Sequence, residues 1–466
     1  MTKDKPLGTY VVLFIPWLIA FTIQGMPILS YIVAWLGSFF IFYVSFTGKL
    51  KHIPNDRTIA EQITRPLFLM QIIFAGFSCV SSIFYFFDVL GYENFKKVND
   101  LYILNPERLR LTAQCQRYYC LGHASLVAGI LTFMKYPKKQ KYLVNNFKIS
   151  RLLLIVSVVT FVISSIFLYF PVLWQLYYQF GSLSFIAGTL ALAFNIPRKN
   201  VANTVLASTI YVFNFYEAMI SGFKEPIIIS VLILGIFLYP YYKRLVLFIF
   251  VPLLIGLFTL LPTYNRIFRE LNWDEGTNVD VSTKLALSAA LSGQNNESNW
   301  SFFVYRLSEI DMFTTYVKST PSTIDFYGFT LVKQGLEVLV PRVFWPGKPN
   351  TEEMIMERVY DAGVVNRGSI VSAKPAFIVD AYLSYGKIGI ILYLFIYGAA
   401  AQLISTKAEE LFGGYVLGSA LIFSGLFQIF WRGISIEFMM NSVFWGYVIM
   451  LLIFRFFLTF NILKRA

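Results

Sequence analysis

The stretch Val340-Pro341-Arg342-Val343-Phe344-Trp345-Pro346-Gly347-Lys348-Pro349 lies within residues 263–380, the one long part of this chain that cannot lie in a lipid bilayer. Runs of about 20 apolar residues, the length that crosses a bilayer as a helix, precede and follow this part. More than half of the aspartates and glutamates fall inside it. The pattern predicts a membrane scaffold that holds one large polar segment at its surface.

The composition of the whole chain favours the same fold class. Of 466 residues, 57% are apolar and 14% are charged, and the mean hydropathy is +0.62. Soluble proteins contain about 45–50% apolar and about 25% charged residues. We therefore expect an all-α polytopic membrane protein. Basic loops on one side of the membrane explain the net charge of +13, so nucleic acid is not an expected partner.

Apolar runs predict about twelve transmembrane helices. Nine precede residues 263–380 and three follow, which divides the chain into 1–262, 263–380 and 381–466. The first run follows a short N-terminus without a cleavage motif, so we expect an uncleaved span. The runs are 7–24, 27–46, 66–90, 111–134, 150–170, 172–195, 202–221, 226–241, 244–262, 382–404, 412–431 and 437–460.

Lysine and arginine are concentrated in alternate loops and at both termini. Loops rich in these residues stay on the cytoplasmic side of a membrane. We therefore expect both termini in the cytoplasm and residues 263–380 on the opposite face. This arrangement requires an even number of spans, and twelve satisfies it.

Residues 263–380 also contain amphipathic segments. The periodicity predicts short helices over 281–291, 299–318 and 325–339. Such helices pack on a membrane surface or over a cavity.

The stretch 340–349, called the string from here on, is predicted to be non-helical because it contains three prolines and a glycine. Phe344 and Trp345 beside Arg342 and Lys348 suit the binding of sugar faces and phosphates. The alternative interpretation is a rigid turn that Trp345 anchors among lipid headgroups.

Ionisable residues within the predicted spans lie mostly toward the side of residues 263–380. Such residues are costly in a bilayer and often mark a functional site. They either form a polar cavity open to that side or extend to the interface as terminal charges. Arg117 fits the cavity best, because Gln114 lies one turn before it on the same helix face. The set comprises Asp88, Arg117, His123, Glu217, Asp380, Arg432 and Glu437, with Arg455 toward the opposite side.

The cysteines and histidines form no metal or disulfide pattern. The three cysteines lie in apolar runs, and neither a CxxC motif nor a zinc spacing with the two histidines is present. We therefore expect no metal and no cofactor. His123 is interpreted either as an interior histidine facing Gln116 or as a weak candidate base.

The string resembles the "PR..W..KP" segment of bacterial Wzy-type O-antigen polymerases, which join oligosaccharide repeat units. Residues 381–390, Ala-Tyr-Leu-Ser-Tyr-Gly-Lys-Ile-Gly-Ile, are similar to that family's E-x-Y-x-N-F-G-x-x-G at the start of the span after the loop. Arg306 is similar to an arginine ahead of the family's segment. Asp380 and Ser384 stand where the family often has Glu and Asn, which leaves the role of the acidic position open.

The resemblance implies a GT-C-like membrane glycosyltransferase in the bacterial inner membrane. It would move a growing glycan from undecaprenyl diphosphate to the non-reducing end of a new lipid-linked repeat unit. The product would be O-antigen of lipopolysaccharide or another surface polysaccharide. Membrane lipid and a chain-length regulator protein are the other expected partners.

This reaction requires cations for the diphosphate leaving group and a base for the acceptor hydroxyl. No strict DxD motif is present in residues 263–380, and the nearest form is Glu309-Ile310-Asp311. We therefore assign the charge stabilisation to arginines and lysines. The expected catalytic residues are Arg306, Arg342, Glu309 and Asp311, and the expected substrate-binding residues are Lys348, Arg117, Trp345, Asp380 and Arg432. Asp380 is also a candidate base.

Two other functions stay open. An O-antigen ligase would use the same donor, but residues 263–380 lack the histidine on which ligases of this kind rely. A transporter or flippase of lipid-linked sugars would place charges throughout the membrane depth and break helices at the midplane. The charges of this chain lie mostly on one side, which favours the polymerase.

Overall fold

A computed structural model describes residues 7–99, 101–136, 140–145, 148–170, 173–222, 225–292, 299–368 and 373–466. The all-α fold class is confirmed. Among the described residues, β structure is limited to two short antiparallel pairs. These are β1 (Tyr92–Glu93) with β2 (Lys96–Lys97), and β3 (Tyr142–Val144) with β4 (Leu463–Arg465).

Each of the twelve predicted spans contains helical structure. The helices before the large segment are α1 (Ile15–Thr22, preceded by the 3₁₀ turns Leu7–Phe14), α2 (Pro27–Phe46), α3 (Ile59–Gln62), α4 (Pro66–Phe74), α5 (Ser82–Val89), α6 (Pro106–Phe133), α7 (Ile149–Leu168), α8 (Trp174–Asn195), α9 (Val201–Ile220), α10 (Glu225–Leu238) and α11 (Lys243–Arg269). A π-helical turn, Ala75–Val80, joins α4 to α5.

The later helices comprise five in the large segment and four after it. The first five are α12 (Val279–Ser292), α13 (Asn299–Arg306), α14 (Ile310–Ser319), α15 (Thr330–Leu339) and α16 (Thr351–Asp361). The last four are α17 (Phe377–Leu411), α18 (Ser424–Leu426, preceded by the π-helical Val416–Phe423), α19 (Ile429–Arg432) and α20 (Ile436–Thr459).

Within the described ranges, six helical stretches are long and apolar enough to cross a membrane. They are Pro27–Phe46, Pro66–Val89, Ile149–Leu168, Lys243–Trp273, Phe377–Leu411 and Ile436–Thr459. Their length and apolarity indicate a membrane protein. The count of twelve crossings and the GT-C-like fold stay predictions.

The large segment differs from its predicted outline in four places. α11 continues to Arg269, and a π-helical turn extends it to Asp274, so helical structure runs past residue 263. The helix predicted over 299–318 is two helices, because Glu309 has a left-handed backbone with φ of 54°. α15 begins at Thr330 rather than at residue 325. α16 was not predicted.

The central helix of the bundle is α6, whose side chains are almost all buried from Leu109 to Leu131. α2 and α17 pack against it. Gly398 of α17 lies directly on the backbone of α6, since an added Cβ would come within 2.1 Å of the Leu126 carbonyl oxygen. Glycine at this position permits the close crossing of the two helices.

The bundle has two distinct ends. The loop end carries α12 to α16. The basic end consists of residues 47–65, 134–136, 140–145, 407–415 and 460–466. Here Arg57 Nη2 lies 2.6 Å from Glu409 Oε1, and strand β3 pairs with strand β4. These loops, predicted to share one side, do lie together.

Candidate functional site

A cleft at the loop end, called the cationic cleft from here on, is lined by Arg110, Arg117 and Lys387. Its volume of about 350 Å³ falls within the about 300–1,000 Å³ of small-molecule sites. Arg117 is only 6% exposed, whereas Arg110 and Lys387 are exposed. Within the described part of the chain, none of the three forms an ion pair with a carboxylate. The other lining residues are Trp17, Phe21, Gln24, Gly25, Gln114 and Tyr118.

Hydrogen bonds to the α1–α2 hairpin hold Arg117 in place. Its Nη1 donates to Ser30 Oγ at 2.8 Å, and Ser30 Oγ donates to the Ala20 carbonyl at 2.7 Å. Gln114 lines the same cleft, and its Nε2 donates to Tyr118 Oη at 2.9 Å. The predicted polar face shared by Gln114 and Arg117 is therefore confirmed.

A break in α17 brings Lys387 to the cleft. Tyr385 and Gly386 leave the helical conformation, and Gly386 has φ of 59°, which glycine adopts without steric cost. The N–H groups of Tyr327 and Gly328 donate to the carbonyls of residues 383 and 384 at 2.9 and 3.0 Å. The helix restarts with Lys387 Nζ 4.3 Å from the ring centroid of Phe21, a cation–π contact.

Glu309 lines a second, smaller cleft, called the Glu309 cleft. Its volume of about 10 Å³ admits about one water molecule. Tyr119 lines this cleft and Tyr118 lines the cationic cleft, so the loop end of α6 separates the two. The remaining lining residues are Met312, Tyr316, Ala373, Lys374, Pro375, Ala376 and Val379.

A buried ionic cluster attaches α16 to the bundle. Arg358 donates from Nε and Nη2 to the two oxygens of Asp380 at 3.0 and 2.8 Å. It also donates from Nη1 and Nη2 to the two oxygens of Glu437 at 2.7 and 2.8 Å. Burial lowers the pKa of Arg358, but the two carboxylates outweigh this effect and raise it above its usual value.

The cluster corrects the interpretation of two predicted residues. Asp380 and Glu437 are 0% exposed, so they neither reach the interface nor line an open cavity. Asp380 also accepts the Ile436 N–H at 2.9 Å. Its oxygens are therefore engaged by the protein itself, which does not support a role in substrate binding or as a base.

Asp311 belongs to a polar network at the top of α5 and α6. Tyr85 Oη donates to Asp311 Oδ1 at 2.7 Å, and Arg108 Nε donates to Tyr85 Oη at 3.1 Å. Arg108 Nη2 also lies 2.9 Å from Asp88 Oδ2. Asp311 is absent from the lining of both clefts, so the structure places this candidate base in neither the Glu309 cleft nor the cationic cleft.

The string is non-helical, as predicted, and its two cations bind backbone carbonyls. Arg342 donates to the carbonyls of Lys348 and Pro349 at 3.1 and 3.4 Å. Lys348 Nζ donates to those of Val338 and Val340 at 2.6 and 2.9 Å. Burial lowers the pKa of Lys348, and the neighbouring Arg342 lowers it further. No residue of the string, including Trp345, lines either cleft as described.

Three further predicted residues lie apart from the cationic cleft. Arg306 is the last residue of α13, and its side chain lies outside the described part of the structure, as does its predicted pairing with Glu309. Arg432 is exposed at the end of α19. His123 is 0% exposed, and its Nε2 lies 3.1 Å from Gln71 Oε1.

The predicted neighbour of His123 was wrong. Gln116 instead accepts a hydrogen bond from Ser82 Oγ at 2.7 Å and donates to the Cys79 carbonyl at 3.0 Å. Gln71, on α4, takes its place beside the histidine. The partner comes from another helix, which a search along α6 could not have identified.

Sequence reasoning also missed Arg110, Lys387 and Arg358 as site or cluster residues. Arg358 had a detectable signal, because it lies on the buried face of α16 together with Ile355 and Val359. An arginine on the apolar face of an amphipathic helix indicates a buried carboxylate partner. Among the described residues, no group of three or more His, Cys, Asp or Glu side chains is placed to hold a metal ion.

The family model described as "Domain of unknown function (DUF8712)" matches residues 15–465. The chain therefore belongs to this family. No curated protein and no solved structure shows detectable similarity to the chain.

Proposed function

We propose that this chain is a membrane glycosyltransferase that polymerises oligosaccharide repeat units linked to undecaprenyl diphosphate. The observation that carries the proposal is the cationic cleft, with Arg110, Arg117 and Lys387 and no acidic residue among its described lining. A diphosphate supplies the negative charge that such a site lacks, and arginine binds phosphate oxygens through several N–H groups. The resemblance of the string and of residues 381–390 to Wzy-type polymerases supports the substrate class.

The proposed reaction forms one glycosidic bond and breaks one bond to phosphate. A hydroxyl of the acceptor unit attacks the anomeric carbon of the donor glycan. The bond from that carbon to the diphosphate oxygen breaks, and the lipid diphosphate leaves with the electron pair. Cations at the cleft stabilise the charge that develops on the leaving group.

The hydroxyl proton requires an acceptor, and none of the predicted bases is among the described residues that line the cationic cleft. Glu309 lines the smaller cleft, across α6 from the cations, Asp380 is engaged by Arg358, and Asp311 accepts a hydrogen bond from Tyr85. Burial of His123 at 0% exposure removes that alternative. We therefore assign the leaving-group contacts to Arg117, Arg110 and Lys387, and the hydroxyl proton to water in this open cleft.

The proposal further assigns the enzyme to the inner membrane of a bacterium, with the loop end facing away from the cytoplasm. The basic loops gathered at the opposite end support this orientation, because such loops stay cytoplasmic. A label at residue 295 that reacts only from the cytoplasmic side would overturn it.

The test of the function is turnover of the purified protein with a synthetic undecaprenyl-diphosphate repeat unit in the presence of EDTA. A ladder of lengthened lipid-linked glycans is the expected result, and Arg117→Gln should reduce it strongly. Lys141→Gln at the basic end is the matched control, since Lys141 is exposed and pairs with Glu410. Absence of a ladder would overturn the proposal that the chain is a polymerase. Transfer to an added lipid core would then identify a ligase, and passage of the unchanged substrate across a vesicle membrane would identify a transporter.

A further inference from the structure

The tip of the string exposes three apolar side chains in a row. Val343 is 58% exposed, Phe344 is 80% exposed and Trp345 is 37% exposed. Exposed aromatic and branched residues at one turn are costly in water. Since the tip lines neither cleft, its apolar surface requires another explanation.

The position of the string relative to α20 supplies one. α15, which leads into the string, packs along α20, with Gly335 against Ile436 and Met440. At the end of α15, the Leu339 carbonyl accepts a hydrogen bond from Trp445 Nε1 at 3.2 Å. Trp445 lies about 13 Å along α20 from Ile436 at 1.5 Å per residue. The string therefore lies beside the body of a helix that is long and apolar enough to cross the membrane.

Most of the exposed surface of α20 beside and beyond the string is also apolar, although Arg455 is exposed near the far end of the helix. Phe444 is 45% exposed, Leu452 is 62% exposed and Phe456 is 50% exposed. A membrane-crossing helix exposes such side chains to lipid chains. The string follows directly after the end of α15, which packs beside this helix.

Several polar groups of the string are satisfied within the protein, as a lipid environment favours. Non-helical backbone is tolerated at membrane depth only when its polar groups are satisfied within the protein. Lys348 and Arg342 each donate to two carbonyls of the string or the end of α15. The three prolines remove N–H donors, and the N–H groups of Phe344 and Trp345 bond the Pro341 carbonyl. The two cations therefore satisfy carbonyls that lipid chains cannot.

We propose that the string is a membrane-embedded turn, with Val343, Phe344 and Trp345 inserted among the acyl chains of the leaflet at the loop end. Its aromatic residues contact lipid rather than sugar. Arg342 and Lys348 remain near enough to the headgroup region for their charged ends to extend toward it. This proposal does not depend on the reaction assigned to the cationic cleft.

Fluorescence quenching in vesicles tests the proposal. Phe344→Cys is labelled with a small fluorophore, and quenching is compared between nitroxide groups on phospholipid acyl chains and iodide in the water. The native Cys79, Cys115 and Cys120 are buried, so the introduced cysteine is the reactive one. We expect lipid-borne nitroxide to quench the label several-fold more than iodide does.

Phe329→Cys is the matched control, because Phe329 is 64% exposed at the other end of α15, next to the Gly328 contact with α17. We expect iodide to quench this label more strongly than it quenches the label at residue 344. Equal iodide quenching at both sites would overturn the proposal. Quenching at residue 344 that depends on the protein-to-lipid ratio would overturn it as well. This result would show that a second copy of the chain, rather than lipid, contacts the tip of the string.

Discussion

Arg358 and Arg117 are both buried arginines at the loop end, and they differ in what faces them. Arg358 is 2% exposed and donates to the carboxylates of Asp380 and Glu437. Arg117 is 6% exposed and, among the described residues, donates one hydrogen bond, to the neutral Ser30 hydroxyl. The charge of Arg358 is compensated by two carboxylates of the protein. The charge of Arg117 faces a cleft that contains two further cations, Arg110 and Lys387.

The difference distinguishes an arginine whose charge the protein compensates from one that we propose binds a ligand. A buried charge is costly unless an opposite charge or a ligand compensates it. Arg358 therefore fastens α16 to the ends of α17 and α20, and this contact helps to hold the large segment over the bundle. Under the proposed function, binding of an anion would offset the cost of keeping the Arg117 charge buried without a carboxylate partner. Removing Arg358 should therefore lower the stability of the protein, whereas removing Arg117 should lower its affinity for the ligand.

The largest effect is expected for Arg358→Met. Removing the arginine leaves two carboxylates buried without a cation, and breaking a buried ion pair in this way costs about 3–5 kcal/mol. We expect the free energy of unfolding in detergent to fall by that amount.

A matched variant distinguishes the charge from the packing. In Arg358→Met combined with Asp380→Asn and Glu437→Gln, no charge is left in the cluster, so most of the lost stability should return. A change in Arg358→Met of less than about 0.5 kcal/mol, the size typical of surface substitutions, would show that the cluster does not fasten the segment.

The second effect concerns ligand affinity. Arg117→Gln removes the charge at the inner wall of the cationic cleft and leaves a shorter, neutral polar side chain there. A hydrogen bond to a charged group contributes about 1.5–3 kcal/mol, so affinity for undecaprenyl diphosphate should fall about tenfold to hundredfold. Equilibrium binding to the purified protein measures the change.

Stability is the contrasting readout for Arg117→Gln. The unfolding free energy should stay equal to or above that of the wild type, because an uncompensated buried charge is removed. A loss of stability comparable with that of Arg358→Met, at unchanged affinity, would reverse the assignment of the two arginines.

The comparison also shows which features the sequence could predict. Apolar and amphipathic helices can be predicted because their pattern repeats within one segment. The helical structure at the twelve apolar runs, and the approximate positions of α12 and α15, were predicted in this way. The string was predicted to be non-helical because proline excludes a helix wherever it occurs. Gln114 and Arg117 were placed on one face by their spacing alone.

Partnerships between distant segments could not be predicted in this way. Arg358 meets Asp380 and Glu437 across 22 and 79 residues of sequence. No spacing rule connects them, so Asp380 and Glu437 were placed near water by their positions at helix ends. Lys387 reaches the cationic cleft only because α17 breaks at Gly386, and the break depends on carbonyls that the large segment covers.

A third, smaller effect is expected at the rim of the cleft. Lys387 is exposed and retains water, so its contribution to anion binding is weaker than that of the buried Arg117. Lys387→Gln should lower affinity for undecaprenyl diphosphate about threefold, in line with the up to about 1 kcal/mol of exposed charge pairs. The loss should shrink in high salt more than the loss in Arg117→Gln. Equal losses with equal salt dependence would show that Arg117 is not the dominant contact.

The smallest effect is expected for Arg342→Gln, although the resemblance of the string to Wzy-type polymerases implies a catalytic arginine there. In the structure Arg342 donates to the carbonyls of Lys348 and Pro349. Its hydrogen-bond donors are therefore used within the protein, like those of Arg358, whereas Arg117 faces a cleft. Glutamine still offers N–H donors for these carbonyls, and a single hydrogen bond contributes about 0.5–1.5 kcal/mol to stability. Turnover in the ladder assay should therefore stay close to that of the wild type, with a small decrease in thermal stability. If Arg342→Gln instead abolished the ladder at unchanged stability while Arg117→Gln left it intact, the catalytic cations would belong to the string, and the cationic cleft would need another ligand.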